Sequence, residues 1–79
     1  PSTAISFSTI DPNRHYSLEI YNLKGQRIKT LHDGTLPAGN HSLIWNGKDA
    51  NGQDVASGVY FYRLSDGKQS QSRKMLMMK

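Results

Sequence analysis

Short stretches in which apolar and polar residues alternate run along most of the chain. Ile5 and Phe7 alternate with serines, and Tyr16, Leu18 and Ile20 alternate with polar residues. Alternation with a period of two is typical of strands that have one buried face. The pattern predicts six strands, over residues 4–8, 16–20, 26–31, 41–45, 59–64 and 74–78.

Two of these stretches depart from simple alternation. Residues 59–64 are apolar on both faces, which predicts a strand in the centre of a sheet. Residues 26–31 carry Arg27 and Lys29 at alternate positions, which predicts one face in contact with water.

Glycines separate the predicted strands, at positions 25, 34, 39, 47, 52, 58 and 67. Glycine readily adopts the positive φ angles of tight turns, and the preceding Asn or Asp residues tolerate similar conformations. No segment between the glycines has the length and 3.6-residue period of an amphipathic helix. The sequence therefore predicts an all-β, immunoglobulin-like antiparallel β-sandwich of six to seven short strands.

Trp45 is the largest candidate for the core, and it lies in mid-chain on a predicted strand. The core tryptophan of an immunoglobulin-like sandwich has the same position. The side chains expected in or around the core are Leu18, Ile20, Leu43, Trp45, Tyr60, Tyr62 and Leu64.

The length of 79 residues predicts a single domain over 1–79, and the chain begins with Pro1 rather than Met. We therefore expect an accessory domain that is a fragment of a larger protein. The chain contains no cysteine. No apolar run approaches the ~20 residues of a membrane helix, so no membrane insertion is expected. The net charge of +4 is spread over turns and loops, which suggests solvated surfaces.

Residues that could perform catalysis do not form a recognisable motif. His15, His32 and His41 are scattered, there is no G-x-S-x-G elbow, and no cysteine can act as nucleophile. The histidines also lack the spacing of a zinc site. We expect no enzyme activity, no catalytic residues, no metal and no cofactor.

Calcium binding and nucleic-acid binding are two further possible functions, and ordinary structural roles account better for the residues concerned. Asp49, Asn51 and Asp54 could offer oxygens to calcium, but the spacing differs from an EF-hand and suits a turn better. The chain's tyrosines could stack on bases, yet strand tyrosines usually pack against a core, and no nucleic-acid-binding motif is present. No nucleic-acid partner is expected.

The stretch from Tyr21 to Lys79 resembles a known family. It contains a W-x-G-x-D-x-x-G-x-x-x-x-x-G-x-Y block from Trp45 to Tyr60, and it ends in Arg-Lys-Met-Leu-Met-Met-Lys at 73–79. These motifs resemble the type IX secretion C-terminal sorting domain, type A. The same segment is similar to the immunoglobulin-like domain of the flagellar hook-capping protein.

The resemblance implies a non-catalytic sorting domain. Such a domain directs an upstream cargo domain through the outer-membrane translocon to the surface of a Gram-negative bacterium, and it is often removed by a sortase. Gly58 and Tyr60 match the family's G-x-Y element, and Lys74 and Lys79 match the lysines of its terminal strand, so these four are the expected translocon-recognition residues. The ordinary roles of these residues are a turn, a core strand and the solubility of an apolar strand. The alternative function is a structural spacer or interaction module of a surface or flagellar-hook-type protein.

Overall fold

A computed structural model of the chain describes residues 2–78, and all regular structure within them is β-strand. The strands are β1 (Thr3–Thr9), β2 (His15–Tyr21), β3 (Arg27–Thr35), β4 (Gly39–Trp45), β5 (Gly58–Ser65) and β6 (Ser70–Met77). No helix within residues 2–78 has the length and hydrophobicity needed to cross a membrane.

The six strands form two antiparallel sheets. β1 pairs with β4, and the other four strands lie in the order β3-β2-β5-β6. The predicted all-β antiparallel sandwich is confirmed. β5 lies between β2 and β6, in the central position that its apolar character on both faces predicts.

The core lies between the sheets and is built from both. Its buried apolar side chains are Ile5, Leu18, Ile20, Trp45, Tyr60 and Met77. Of the predicted core residues, Leu43, Tyr62 and Leu64 are partly buried and pack against this cluster. The expected core is thus confirmed, and the structure adds Ile5 and Met77 to it.

Trp45 is fully buried, and its ring meets the Tyr60 ring edge-on, with centroids 5.1 Å apart. Its indole Nε1–H donates a hydrogen bond of 2.9 Å to the carbonyl oxygen of Lys48. A buried tryptophan needs such a partner, because an unpaired N–H in a core is costly. The same bond holds the loop that follows β4 against the core.

Strand β3 is longer than the sequence predicts. The glycine pattern predicts a turn at Asp33-Gly34, but β3 runs through it, with Gly34 opposite Tyr16 and Asp33 opposite Ser17. Pairing with the whole of β2 outweighs the local turn preference of an Asp-Gly pair, because register is set by the strand partner as well as by local sequence.

The expectation of one water-facing row on β3 is wrong in detail. The β2–β3 register shifts twice, so that Ile28 and Leu31 have no residue directly opposite them on β2. Both extra residues pack against the core. These bulges turn the strand locally, and Arg27 therefore lies opposite Tyr21 while Lys29 lies opposite the buried Ile20.

Two loops use the same five-residue turn, at Asn22–Gln26 and Asp49–Gln53. In each, the first side-chain oxygen accepts bonds from the backbone N–H groups two and four residues later, at 2.9 and 3.0 Å. In each, the glycine N–H donates 3.0 Å to the carbonyl of the first residue, and φ at the glycine is 80°. The shared pattern is Asx-x-x-Gly-Gln, in which glycine supplies the left-handed conformation.

Replacement of Trp45 should test how far the two sheets depend on it. We expect Trp45→Ala to lower the free energy of unfolding by ~3–5 kcal/mol, because it leaves a large cavity and an unpaired Lys48 carbonyl. Urea denaturation followed by circular dichroism measures this. The neighbouring Ile44 is 67% exposed, and Ile44→Ala should change stability by less than ~0.5 kcal/mol. Equal midpoints for the two variants would contradict the assignment of Trp45 to the core.

Candidate functional site

Strand β6 forms one edge of the four-stranded sheet and pairs only with β5. Its residues alternate between the two faces. Met77 is buried and Met75 is partly buried against the core, whereas Lys74 and Leu76 are exposed on the outer face. The two methionines of the inner row complete the core beside β5.

Gly58 is the first residue of β5 and lies opposite Met77. Its φ is 154°, in a region that residues with a side chain rarely adopt, while a Cβ added there would meet nothing within 4 Å. Backbone conformation rather than lack of space therefore requires glycine at this position.

Tyr60, the third residue of β5, is buried. Besides its contact with Trp45, its hydroxyl donates a hydrogen bond of 2.7 Å to the carbonyl oxygen of Ala56. Both groups of the side chain, the ring and the hydroxyl, are thus engaged inside the domain. Tyr60 holds the start of β5 against the core, and any effect on a partner would be exerted through the fold.

Lys74 is exposed on the outer face of β6, opposite Phe61 of β5. Lys79, the other lysine expected to contact a translocon, lies outside the described residues. The structure therefore brings Gly58 and Tyr60 together near the core and places Lys74 on the surface. The role of these four residues in recognition stays a prediction.

A charged cluster that the sequence does not predict lies on the outer face, across β3, β2 and β5. Glu19 of β2 accepts hydrogen bonds from Arg27 (Nη1–Oε2, 3.0 Å) and from the Tyr21 hydroxyl (3.1 Å), and its Oε1 lies 3.6 Å from Arg63 Nη2. The Arg63 guanidinium also lies over the Tyr21 ring, 5.2 Å from its centre. Three strands contribute to the cluster, so only the strand register reveals it.

Glu19 is largely covered by its partners, with a side chain that is 13% exposed. Burial by itself raises the pKa of Glu19, but the hydrogen bonds from Arg27 and Tyr21 and the arginine charges outweigh it, so the pKa lies below its ordinary value of 4.5. Burial, together with the bond to Glu19 and its charge, raises the pKa of Tyr21 above 10.0. The carboxylate is therefore held ionised under its arginines.

The acidic loop weighed as a calcium site is engaged in turn formation. Asp49 Oδ1 accepts two backbone hydrogen bonds, from Asn51 and Gln53, and Asp54 forms an ion pair of 2.9 Å with Lys48. Within residues 2–78, no three side chains of His, Cys, Asp or Glu come together as metal ligands would.

The histidines have structural partners. His15 pairs with Asp33 on an exposed part of the outer face. His41 Nε2 lies 2.7 Å from the carbonyl of Pro37, which also accepts a 2.7 Å bond from the Thr9 hydroxyl. A carbonyl can only accept, so this His41 nitrogen carries its proton and cannot deprotonate Thr9, although they lie 3.1 Å apart.

A comparison with protein families finds one match over most of the chain. The family described as the FlgD Ig-like domain matches residues 2–70, which span β1 to the first residue of β6. The chain belongs to the FlgD Ig-like domain family. Searches of the curated proteins and of the solved structures found no match.

The match supports the similarity to the immunoglobulin-like domain of the hook-capping protein. Within this FlgD Ig-like domain, the matched part contains Gly58 and Tyr60, together with Trp45 and the loop after it. Residues 71–78, with Lys74 and the buried Met77, follow the matched part and form nearly all of β6.

The lowered pKa of Glu19 predicts how stability depends on pH. A depressed carboxyl pKa stabilises the fold above the unfolded value, and this contribution is lost as the pH falls through the folded value. Asp66, whose pKa is lowered by the backbone N–H groups of Gln69 and Lys68 and by Arg14, acts in the same direction. We expect the melting temperature to fall as the pH is lowered from 6 to below 4.5.

Glu19→Gln isolates the part of this dependence that Glu19 causes. Glutamine keeps the shape and can still accept from Tyr21, but it has no charge for Arg27 and Arg63. The variant should melt lower than the original domain at pH 7, and the difference should shrink below pH 4.5. Parallel melting curves over this range would show that the cluster does not stabilise the fold through its charge.

Proposed function

We propose that this FlgD Ig-like domain is a non-catalytic module, joined to a larger protein, that a partner protein recognises along strand β6. The absence of catalysis is part of the proposal. It is supported by the arrangement at Thr9 and His41, where the hydroxyl and the ring nitrogen both donate to the same carbonyl oxygen. A general base would need a free nitrogen at that position.

The observation that carries the recognition role is the open edge of β6. The strand spans eight residues and pairs with β5 on one side only. Its other side presents backbone donors and acceptors on which a strand from another protein can form β-augmentation. Lys74 projects from the same strand and favours an acidic partner.

The family match supports one form of this function, an interaction module or spacer of a surface or flagellar-hook-type protein. In that setting the partner is another subunit or domain of the same assembly. The domain then contributes a rigid sandwich and an edge for docking, and the activity of the parent protein lies elsewhere in its chain.

A second form, sorting through a type IX translocon, is favoured by the residues that follow the matched part. Residues 71–78 carry the Arg-Lys-Met-Leu-Met-Met motif, and residues 71–77 form all of the edge strand except its first residue. In this form the translocon binds β6 when the domain forms the C-terminus of the parent protein. The parent protein then reaches the cell surface by way of the periplasm.

The edge proposal predicts where a partner touches the domain. The 79 residues contain no cysteine, so in the isolated domain a single introduced cysteine carries a photo-crosslinker at a unique site. We expect the labelled Ser70→Cys domain to crosslink through β6 to another protein when it is added to an extract of cells that make the parent protein. Ser42→Cys, at an exposed position of β4, is the matched control and should give no adduct. Adducts from both positions, or only from position 42, would contradict recognition along β6.

The sorting form predicts export of a fused reporter. The 79 residues, attached to the C-terminus of a periplasm-directed reporter, should carry it to the surface of a bacterium with a type IX system. Deletion of the terminal residues would remove the buried Met77 and damage the fold, so a charge reversal at the exposed Lys74 is the better variant. Lys74→Glu should reduce surface display, and Lys68→Glu, an equal charge change in an exposed turn, should not.

An intact fusion that stays folded in the periplasm would reject the sorting form. The crosslinking experiment would then decide the interaction form separately, because it does not depend on export. Equal surface display of the Lys74→Glu and Lys68→Glu fusions would reject a role for Lys74 in translocon recognition.

A further inference from the structure

The outer face of the four-stranded sheet carries a group of apolar side chains that the core does not use. Among residues 2–78, five large apolar side chains are strongly exposed. Ile10 and Ile44 lie on other surfaces and Met78 follows the end of β6, but Leu23 (69% exposed) and Leu76 (58% exposed) flank this outer face. Exposed apolar side chains that cluster in this way mark interaction sites more often than single ones do.

Strand register brings the group together. Tyr21 lies opposite Phe61, and Val59 lies opposite Leu76, so both pairs point to the same outer face. Leu23 adjoins both pairs, since it lines one surface groove with Val59 and another, of about 350 Å³, with Tyr21 and Phe61. We define the apolar patch by these residues: Tyr21, Leu23, Val59, Phe61 and Leu76.

Leu23 is held in its exposed position. It lies in the Asn22–Gln26 turn, where the Asn22 side chain accepts two backbone hydrogen bonds and the Gly25 N–H closes the turn. A fixed turn loses little conformational entropy on binding, which favours a docking role.

The charges around the apolar patch are predominantly positive. Lys24, Arg27, Arg63 and Lys74 border it, and Glu19 is the carboxylate that contacts it. Four cations and one carboxylate leave three positive charges in excess. Arg27 and Arg63 keep exposed fractions of 63% and 44% despite their contacts with Glu19, so both can reach a partner.

The excess of positive charge around the apolar patch determines which kind of partner it can bind. A second copy of the same basic surface would be repelled, whereas a partner with carboxylates would be attracted and oriented. We propose that the apolar patch binds an extended segment of another protein that carries aromatic or branched apolar residues and Asp or Glu two residues apart, on one face of the segment. The apolar side chains lie in the groove beside Leu23 and Phe61, and the carboxylates reach Arg63, Arg27 or Lys74. The proposal deepens the interaction role above but uses the sheet face instead of the β6 edge.

A synthetic peptide with the repeat Trp-Ser-Glu-Ser is the probe, because its tryptophans and glutamates lie on one face of an extended chain. Backbone amide NMR of the 79-residue chain should show titratable shifts at the apolar patch. A peptide with lysine in place of each glutamate should bind at least ~10-fold more weakly, and added salt should weaken the glutamate peptide. A peptide with serine in place of each tryptophan should also lose binding.

Two variants test the site, one in the apolar patch and one that also removes the Arg63–Glu19 contact. Leu23→Ser and Arg63→Ser should each weaken the peptide by ~10-fold or more, a loss expected of central contacts. Ile44→Ser, which removes an equally exposed side chain from the other sheet, is the matched control and should bind normally. Melting curves check that each variant is folded.

Four results would overturn the proposal: equal binding of the lysine peptide, shifts that spare Leu23 and Phe61, unchanged binding by Leu23→Ser, or patch shifts that arise from self-association on concentration. Binding of anionic lipid vesicles by the same face, with no peptide binding, would equally reject a protein partner. If the Ser70→Cys domain gives no crosslink but the peptide still binds, recognition along the β6 edge would be rejected while binding at the apolar patch would stand.

Discussion

The contact of Trp45 with Tyr60 is the interaction on which the rest of the domain depends. The sheet of β1 and β4 has only two strands, which cannot be stable alone in water. It is joined to the four-stranded sheet through side chains, and Trp45 is the largest of these. Because Trp45 also binds the Lys48 carbonyl, the loop after β4 depends on the same side chain. The start of β5, where Tyr60 is anchored to Ala56, is fixed in turn.

Much of the fold could be predicted from the sequence, because alternation and turn residues are local signals. Leu18 and Ile20, for example, lie where alternation places them. What could not be predicted depends on partners distant in the chain. Met77 is absent from the expected core, because its burial depends on the pairing of β6 with β5. Gly34 is predicted to be a turn residue, but pairing with β2 extends β3 through it. The Glu19–Arg63 contact, between residues on different strands, likewise needs the register.

The division into sheets of two and four strands leaves four of the six strands at an edge, namely β1, β3, β4 and β6. Exposed edges invite pairing with other chains, and charges and bulges discourage it. β3 has two bulges and two basic residues, and β6 carries Arg73 and Lys74. β1 and β4 have no Lys, Arg, Asp or Glu. The β6 edge therefore combines backbone groups available to a partner with charges that select which partner pairs.

In the repeated Asx-x-x-Gly-Gln turn, the residues that form the turn differ from the two central residues whose side chains contribute to the surface. All the bonds that define the two turns use backbone atoms and the first side chain. The two central side chains are consequently free to vary, and the loops differ there, with Leu23-Lys24 in one and Ala50-Asn51 in the other. Evolution can thus change the chemistry at the rim of the outer face by substitution at positions 23 and 24, with little effect on stability. Related domains of one architecture can acquire different binding preferences by this route.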